Sequence, residues 1–234
     1  MDFRSLLPLQ SVDARLAQLA HRKAQLPERA LAAATDKGLA AQRSEIKKME
    51  QRQSAVAAEI ARLEQRGKEL DAKKAKYEAQ LKSVIAMREV EALQHEIATV
   101  KAEHSSLDDA ELVLLDETER LEASLASAQA ELPALERAAA EADAALAAAV
   151  SAVDGDIAAM NDERVRIVAG IDPATLALYD QIRARMTSAA VAEVMKGSCG
   201  GCHTAISPKE QAELKKVADT PDARCPYCGC LIVV

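Results

Sequence analysis

Aromatic side chains are nearly absent from this chain of 234 residues. It has three Tyr, one Phe and no Trp, so aromatics make up 2% of a sequence that is 49% hydrophobic. A single globular core of this size normally contains many aromatics, because each one buries a large area. The shortage therefore excludes a conventional compact α/β domain. It also disfavours nucleic-acid-binding folds that stack bases on exposed rings.

Long apolar runs and helix breakers are scarce as well. No apolar stretch approaches the roughly 20 residues that span a bilayer. The N-terminus has Asp2 and further charges every few residues, which is unlike a secretory signal. We therefore expect a cytoplasmic protein with no membrane partner, in which thiols stay reduced. With only 8 Gly and 7 Pro among many Ala, Glu, Lys, Leu and Arg, the composition predicts long helices.

Heptad spacing of apolar residues runs through two adjacent windows. In residues 46–84, nine of twelve core positions are apolar, and in residues 90–135 eleven of fourteen are. Sustained spacing of this kind predicts coiled-coil helices. The register breaks between Val84 and Val90, where there is room only for a tight reversal.

Charge is divided unequally between the two windows. Residues 43–88 hold 12 basic and 7 acidic side chains, a net charge of +5, whereas residues 89–143 hold 3 basic and 15 acidic, a net charge of −12. A basic helix folded back on an acidic one places opposite charges on both sides of the interface. We therefore predict an all-α, long antiparallel coiled-coil hairpin with its tip near residues 84–89. With the tip there, Gly67 is expected roughly opposite His104, and Gln53 opposite Thr118.

The prolines and glycines suggest where the hairpin is interrupted. Pro27 and Pro133 fall at similar distances from the tip, and Asp36-Lys37-Gly38 lies near the same level. Because proline removes a helical hydrogen bond, we predict a kinked or segmented region there. A break near Asp154-Gly155-Asp156 is also considered. The predicted domains are a kinked hairpin at residues 1–170 and a small α+β module with short helices at residues 171–234.

All five cysteines lie in the last 36 residues, and four of them form two C-x2-C pairs. Cys199-Gly-Gly-Cys202 is followed after 22 residues by Cys225-Pro-Tyr-Cys228. Four thiolates in this arrangement suit a tetrahedral Zn²⁺ ion. Because four protein ligands leave no position for an activated water, we predict one structural Zn²⁺ and no enzyme activity.

Two other patterns overlap with these cysteines. Cys199 to His203 also matches a C-x-x-C-H haem-attachment pattern, which would require export and leave the second pair unexplained. A redox C-x-x-C needs a βαβ context that is not visible here. Cys230 lies two positions after Cys228, so in an extended segment their side chains share a face. Cys230 is either a spare ligand or a free, partly buried thiol, and we favour the free thiol. His203 is interpreted as a bystander.

Short elements are predicted around the cysteines. Asp172 can cap a helix that begins at Pro173, and Ser207 with Glu210 forms a capping box for a helix through Lys216. Residues 189–194 and the C-terminal residues 230–234 read as strands that can pair. The module is therefore predicted to be a zinc ribbon with one inserted helix.

With these motifs in place, the chain resembles a bacterial family of C4-type zinc-ribbon proteins with an N-terminal coiled-coil hairpin. The resemblance rests on the stretch from Arg88 to Ile97 after the tip, on Tyr179-x-x-Ile182, and on the two cysteine pairs. Family members usually have Arg where this chain has Cys230. The resemblance implies a nucleic-acid-binding assignment, and links of some members to the alternative sigma factor 54, flagellar gene expression or specialised secretion.

Two functions follow as hypotheses. The first is a non-enzymatic zinc-binding adaptor that presents the coiled-coil arm and the ribbon to protein partners in transcription or secretion regulation. The second is an RNA- or DNA-binding regulator that uses the ribbon or the basic helix. Five residues of the ribbon are candidate nucleic-acid or partner contacts: Lys196, Lys209, Lys215, Lys216 and Arg224. Both a monomer and a dimer are compatible with the sequence.

Overall fold

The computed structural model describes residues 1–186 and 189–234. The described residues form long helices followed by a small sheet, as predicted. The elements in chain order are α1 (Leu6–Ala24), α2 (Pro27–Leu81), α3 (Met87–Val168), α4 (Pro173–Arg183), β1 (Val191–Met195), β2 (Ser198–Cys199), α5 (Pro208–Lys216) and β3 (Leu231–Val233).

The turn between the two long helices occupies residues 82–86, because α2 ends at Leu81 and α3 begins at Met87. The predicted reversal is confirmed, and it lies two to three residues earlier than residues 84–89.

Pro27 is the first residue of α2, a position where a backbone N–H would have no helical acceptor, so proline loses no hydrogen bond there. The predicted interruption at this proline is therefore confirmed.

The helices are not segmented at the other predicted positions. α2 continues through Gly38, and α3 continues through Pro133 and Gly155. A glycine inside a helix costs only about 1 kcal/mol relative to alanine. Ending and restarting a helix would cost more, because each new end leaves backbone groups without helical partners. Even the proline is accommodated within the 82 residues of α3.

One compact unit comprises Leu31–Ala142, which contains most of α2 and the first two thirds of α3. Its helices pair antiparallel through buried residues such as Val56, Leu70 and Val100. The predicted register is confirmed at Gly67, where an added Cβ would lie 3.8 Å from His104 Nε2. Small side chains opposite large ones allow this close approach.

The predicted charge pairing between the two helices is present in this unit. Arg52 forms a bidentate contact with Glu117, with Nε–Oε1 at 2.6 Å and Nη2–Oε2 at 2.7 Å. Arg43 Nη2 lies 2.7 Å from Glu136 Oε1. Because these pairs are exposed, each contributes little stability, but together they favour the antiparallel orientation.

The other compact unit joins Met1–Ala30 to Asp143–Val234. The boundaries of these units differ from those of the predicted domains, residues 1–170 and 171–234, and the domain division stays a prediction. The sheet of this unit has the order β2-β1-β3, with β1 antiparallel to β2 and parallel to β3. The predicted pairing of the C-terminal strand with the strand before the cysteines is confirmed, with Val191 aligned to Leu231.

The N-terminal segment completes the core beneath this sheet. Phe3, Leu6 and Leu9 are fully buried in one cluster with Tyr179 and Leu231. Polar contacts fix the same segment. The backbone N–H of Ala190 donates to Gln10 Oε1 at 2.6 Å, and the backbone N–H of Phe3 donates to Asp219 Oδ1 at 2.9 Å. The ribbon therefore obtains from the first ten residues the apolar side chains that it lacks.

No helix within the described parts of the chain combines enough length and apolar character to cross a membrane.

Candidate metal centre

The first cysteine turn, residues 199–202, is held against strand β1. The backbone N–H of Gly200 donates to the carbonyl of Glu193 at 2.9 Å. A Cβ added at Gly200 would lie 2.8 Å from that same oxygen, so only glycine fits here. The backbone N–H of Gly201 points at Cys199 Sγ at 3.4 Å. Such contacts stabilise negative charge on the sulfur.

The second cysteine turn, residues 225–228, is closed by backbone hydrogen bonds. The N–H of Gly229 donates to the Cys225 carbonyl at 2.9 Å, and the N–H of Cys225 donates to the Cys230 carbonyl at 2.8 Å. Gly229 has φ of +80°, a left-handed conformation that glycine adopts without strain. Tyr227 Oη donates to Glu210 Oε1 at 3.3 Å, which connects this turn to α5.

The two turns bring four sulfurs together. Sγ atoms of Cys199, Cys202, Cys225 and Cys228 all lie within 4.8 Å of one another. The Cys199–Cys228 pair is 3.9 Å apart and the Cys202–Cys225 pair 3.8 Å apart. Zn–S bonds of about 2.3 Å in a tetrahedron place sulfurs about 3.8 Å apart. The four thiols therefore fit one Zn²⁺ ion in both number and spacing.

The free thiols differ in acidity. Hydrogen bonding from Thr204 lowers the pKa of Cys202 to about 6, whereas burial raises the pKa of Cys225 to about 12. Zn²⁺ binds thiolates and releases their protons. Metal binding at this site is therefore expected to release protons, and its affinity is expected to fall as the pH falls.

The fifth cysteine lies directly beside this centre. Cys230 is fully buried, with its Sγ 3.4 Å from Cys228 Sγ and 3.6 Å from Cys199 Sγ. The sequence predicted that it shares a face with Cys228, and the structure agrees. It is buried completely rather than partly, within the same cluster as Ile206 and Leu214.

A buried carboxylate that sequence reasoning missed connects the helices of this unit. Asp13 Oδ1 accepts from Arg164 Nε at 2.8 Å, and its Oδ2 lies 2.7 Å from Arg183 Nη1 and accepts from Tyr179 Oη at 2.8 Å. Burial, with the contact to Asp13, raises the pKa of Tyr179, and hydrogen bonding to Asp13 raises that of Arg164. An acidic residue within the apolar stripe of Leu6, Leu9 and Val12 was the available signal.

The predicted basic contacts lie on three segments of the ribbon. All five are exposed: Lys196 in the β1–β2 turn, Lys209, Lys215 and Lys216 on α5, and Arg224 before the second cysteine turn.

Two of these cations, Lys209 and Arg224, line a groove of about 550 Å³ whose lining is largely apolar. The same groove is lined by three carboxylates, those of Glu210, Glu213 and Asp222. The groove is therefore mixed in charge rather than basic, which disfavours a phosphate backbone as its ligand.

Comparison with known proteins agrees with this architecture. A model of the CT398-like coiled coil hairpin domain matches residues 9–187, more than half of the chain. The chain belongs to this family. A model of the C4-type zinc ribbon domain matches residues 198–232, which contain the four clustered cysteines. Neither type of domain points to catalysis.

Relatives and solved structures extend over nearly the whole chain. An uncharacterized protein of Mycobacterium tuberculosis is 29% identical over 238 residues, covering 98% of this chain and 94% of its own. CT398 from Chlamydia trachomatis superposes with a TM-score of 0.84 at 20% identity, covering 98% of this chain and 96% of its own. A Mycobacterium smegmatis protein has a TM-score of 0.64 at 28% identity, with 99% and 97% covered.

Proposed function

We propose that the protein is a non-enzymatic adaptor, in which Cys199, Cys202, Cys225 and Cys228 ligate one structural Zn²⁺ ion. Four sulfur ligands complete the coordination of zinc, so a substrate or a reactive water has no position to occupy. The metal then acts by stabilising the fold of the ribbon. Recognition of partners is assigned to exposed surfaces of the hairpin and the ribbon.

The observation that supports this proposal most directly is the apolar tip of the hairpin. Ile85, in the turn between α2 and α3, is 97% exposed, and Met87, the first residue of α3, is 72% exposed. Large exposed apolar side chains close together in the sequence of a turn are candidates for a protein interaction site. A long two-helix arm with this tip suits a protein partner, in transcription or secretion regulation as the resemblance implies.

Affinity capture from native extract tests the tip as a protein-binding site. The double variant I85S/M87S removes both apolar side chains, and L112S is the matched control because Leu112 is a similarly exposed residue of α3. We expect a partner that binds the wild type and L112S, is lost with the double variant, and resists nuclease. Capture that is unchanged by the double variant, or abolished by nuclease, would contradict the proposal.

Nucleic-acid binding is the second candidate, supported by the exposure of the five ribbon cations. Two observations weaken it: Lys216 Nζ lies 2.9 Å from Glu213 Oε1, and the groove beside α5 contains three carboxylates. Titration with labelled RNA and DNA at two salt concentrations tests it. Binding through phosphates must weaken as salt rises, with a slope that K215Q/K216Q reduces.

A further inference from the structure

The cysteine centre contains one thiol more than a tetrahedral metal ion needs. Cys230 Sγ is in contact distance of two of the four clustered sulfurs, 3.4 Å from Cys228 and 3.6 Å from Cys199. Cys230 does not belong to the set of four whose sulfurs are all mutually close. A fully buried thiol in that place has neighbouring sulfurs as its reaction partners rather than solvent.

A cavity leads from solvent to one of these two ligands. It measures about 290 Å³ and is lined by Cys228, Gly229, Gln181, Arg185 and Arg224, together with two apolar side chains of the α4 region. Cys228 is half-buried, whereas Cys230 and Cys199 are fully buried. A small oxidant that enters the cavity therefore meets the sulfur of Cys228 first.

The charge of this cavity favours chemistry in which an anion develops. It has two guanidinium groups, Arg185 and Arg224, and no carboxylate among its lining residues. Neither arginine forms an ion pair within residues 1–186 and 189–234. Arg224 Nε donates to the carbonyl of Pro221 at 2.8 Å, which holds that side chain in place. Unpaired guanidinium groups stabilise the negative charge on an oxygen that leaves a peroxide.

We propose that Cys228 and Cys230 form a peroxide-responsive dithiol, with Cys228 as the residue that is oxidised and Cys230 as the resolving thiol. In the first step the Cys228 thiolate attacks a peroxide oxygen, the O–O bond breaks, and the products are a sulfenic acid and hydroxide. In the second step the Cys230 sulfur attacks that sulfenic acid. A disulfide forms, and the proton of the Cys230 thiol leaves with the hydroxyl of the sulfenic acid as water. Peroxide is reduced and the two thiols are oxidised.

The consequence is loss of a metal ligand by a change that reductant reverses. After the disulfide forms, Cys199, Cys202 and Cys225 remain to hold the metal. Because metal binding and folding of the ribbon are coupled, weaker binding is expected to loosen the sheet around β1 and β3. A thiol reductant would return Cys228 to the centre. The inference rests on the four-cysteine centre but not on the adaptor role.

Oxidation of the full-length, zinc-loaded protein with about one equivalent of hydrogen peroxide tests the proposal. Zinc release is followed with a chromogenic chelator, and the first disulfide is mapped by alkylation, digestion and mass spectrometry. We expect a Cys228–Cys230 disulfide to form together with zinc release, and dithiothreitol to restore both the thiols and the bound zinc.

Variants separate this route from general oxidation of a zinc site. C230S should still bind one zinc per chain, and should accumulate Cys228 sulfinic acid that dithiothreitol does not reduce. R185Q should slow oxidation of Cys228 several-fold, whereas K209Q, which removes an exposed cation outside the cavity, should not. A first disulfide between two of the four ligands in the wild type would overturn the proposal. Failure to bind zinc at all would instead refute the metal centre.

Discussion

Replacing Asp13 by Asn should loosen the attachment of α1 to the rest of its compact unit. The Asp13 side chain is 1% exposed, accepts hydrogen bonds from Arg164 and Tyr179, and forms an ion pair with Arg183. D13N keeps the shape and one acceptor oxygen, so Tyr179 can still donate. The substitution removes the negative charge that both arginines face, and the new side-chain amide turns an N–H donor toward one of them.

The expected cost follows from the two charge-assisted contacts. Each is worth about 1.5–3 kcal/mol when buried. Arg164 and Arg183 are 29% and 40% exposed, so water replaces part of what they lose. We therefore expect a loss of about 3 kcal/mol, toward the lower end of the range for breaking a buried ion pair. That energy corresponds to roughly a hundredfold change in an opening equilibrium.

Hydrogen exchange followed by mass spectrometry measures this effect locally. Peptides from α1 should lose about a hundredfold of protection in D13N, whereas peptides from residues 31–142 should not change. D180N is the matched control, because Asp180 is exposed and lies 3.7 Å from Arg164. Its effect should be below about 1 kcal/mol. Equal losses in D13N and D180N, or a loss confined to the hairpin, would refute the importance of the buried carboxylate.

Three further outcomes are expected. G200A should destabilise the ribbon, because the added Cβ would lie 2.8 Å from the carbonyl oxygen of Glu193. G38A should raise the free energy of unfolding by about 1 kcal/mol, because the added Cβ would enter open space in the middle of a helix. The hydrogen bond to Asp108 raises the pKa of His104. The stabilisation of the hairpin by protonated His104 is therefore complete below about pH 6.5 and declines as the pH rises through the raised pKa. H104Q should make the melting temperature depend less on pH between about pH 6 and pH 8. A zinc chelator should abolish exchange protection in residues 189–234 and leave the far-ultraviolet helical signal nearly intact. Unchanged protection there would contradict a structural metal.

Features with a fixed local spacing could be predicted from the sequence. Heptads and the opposite charges of the two windows predicted an antiparallel pair, and the structure has Gly67 opposite His104 as expected. The capping box of Ser207 and Glu210 is present with both of its hydrogen bonds. The C-x2-C spacing predicted four clustered sulfurs. In each case the interacting residues lie a few positions apart, or repeat often enough to set a register.

Contacts between distant segments could not be predicted in the same way. Phe3 and Asp219 are 216 positions apart, and Asp13 and Tyr179 are 166 apart. The apolar stripe of α1 indicates that one face is buried, but it does not say against which element, because Leu and Phe pack equally well on a helix or a sheet. Pro133 does not end its helix for a related reason. Local propensity at Pro133 was outweighed by the packing and hydrogen bonding of a long helix.

Cys230 shows most clearly what the third dimension adds to a correct local prediction. Its spacing of two from Cys228 indicates a shared face, which is compatible with a spare ligand and with the free thiol that we favoured. The structure separates the two residues by environment: Cys228 borders a cavity with two arginines that form no ion pair in the described parts of the chain, and Cys230 lies among apolar side chains. Four ligands close a zinc site to substrates, yet a ligand that a small oxidant can reach remains a nucleophile. A buried thiol whose sulfur lies 3.4 Å from that ligand allows the centre to respond reversibly to oxidation. With four cysteines alone, a disulfide would remove two metal ligands instead of one.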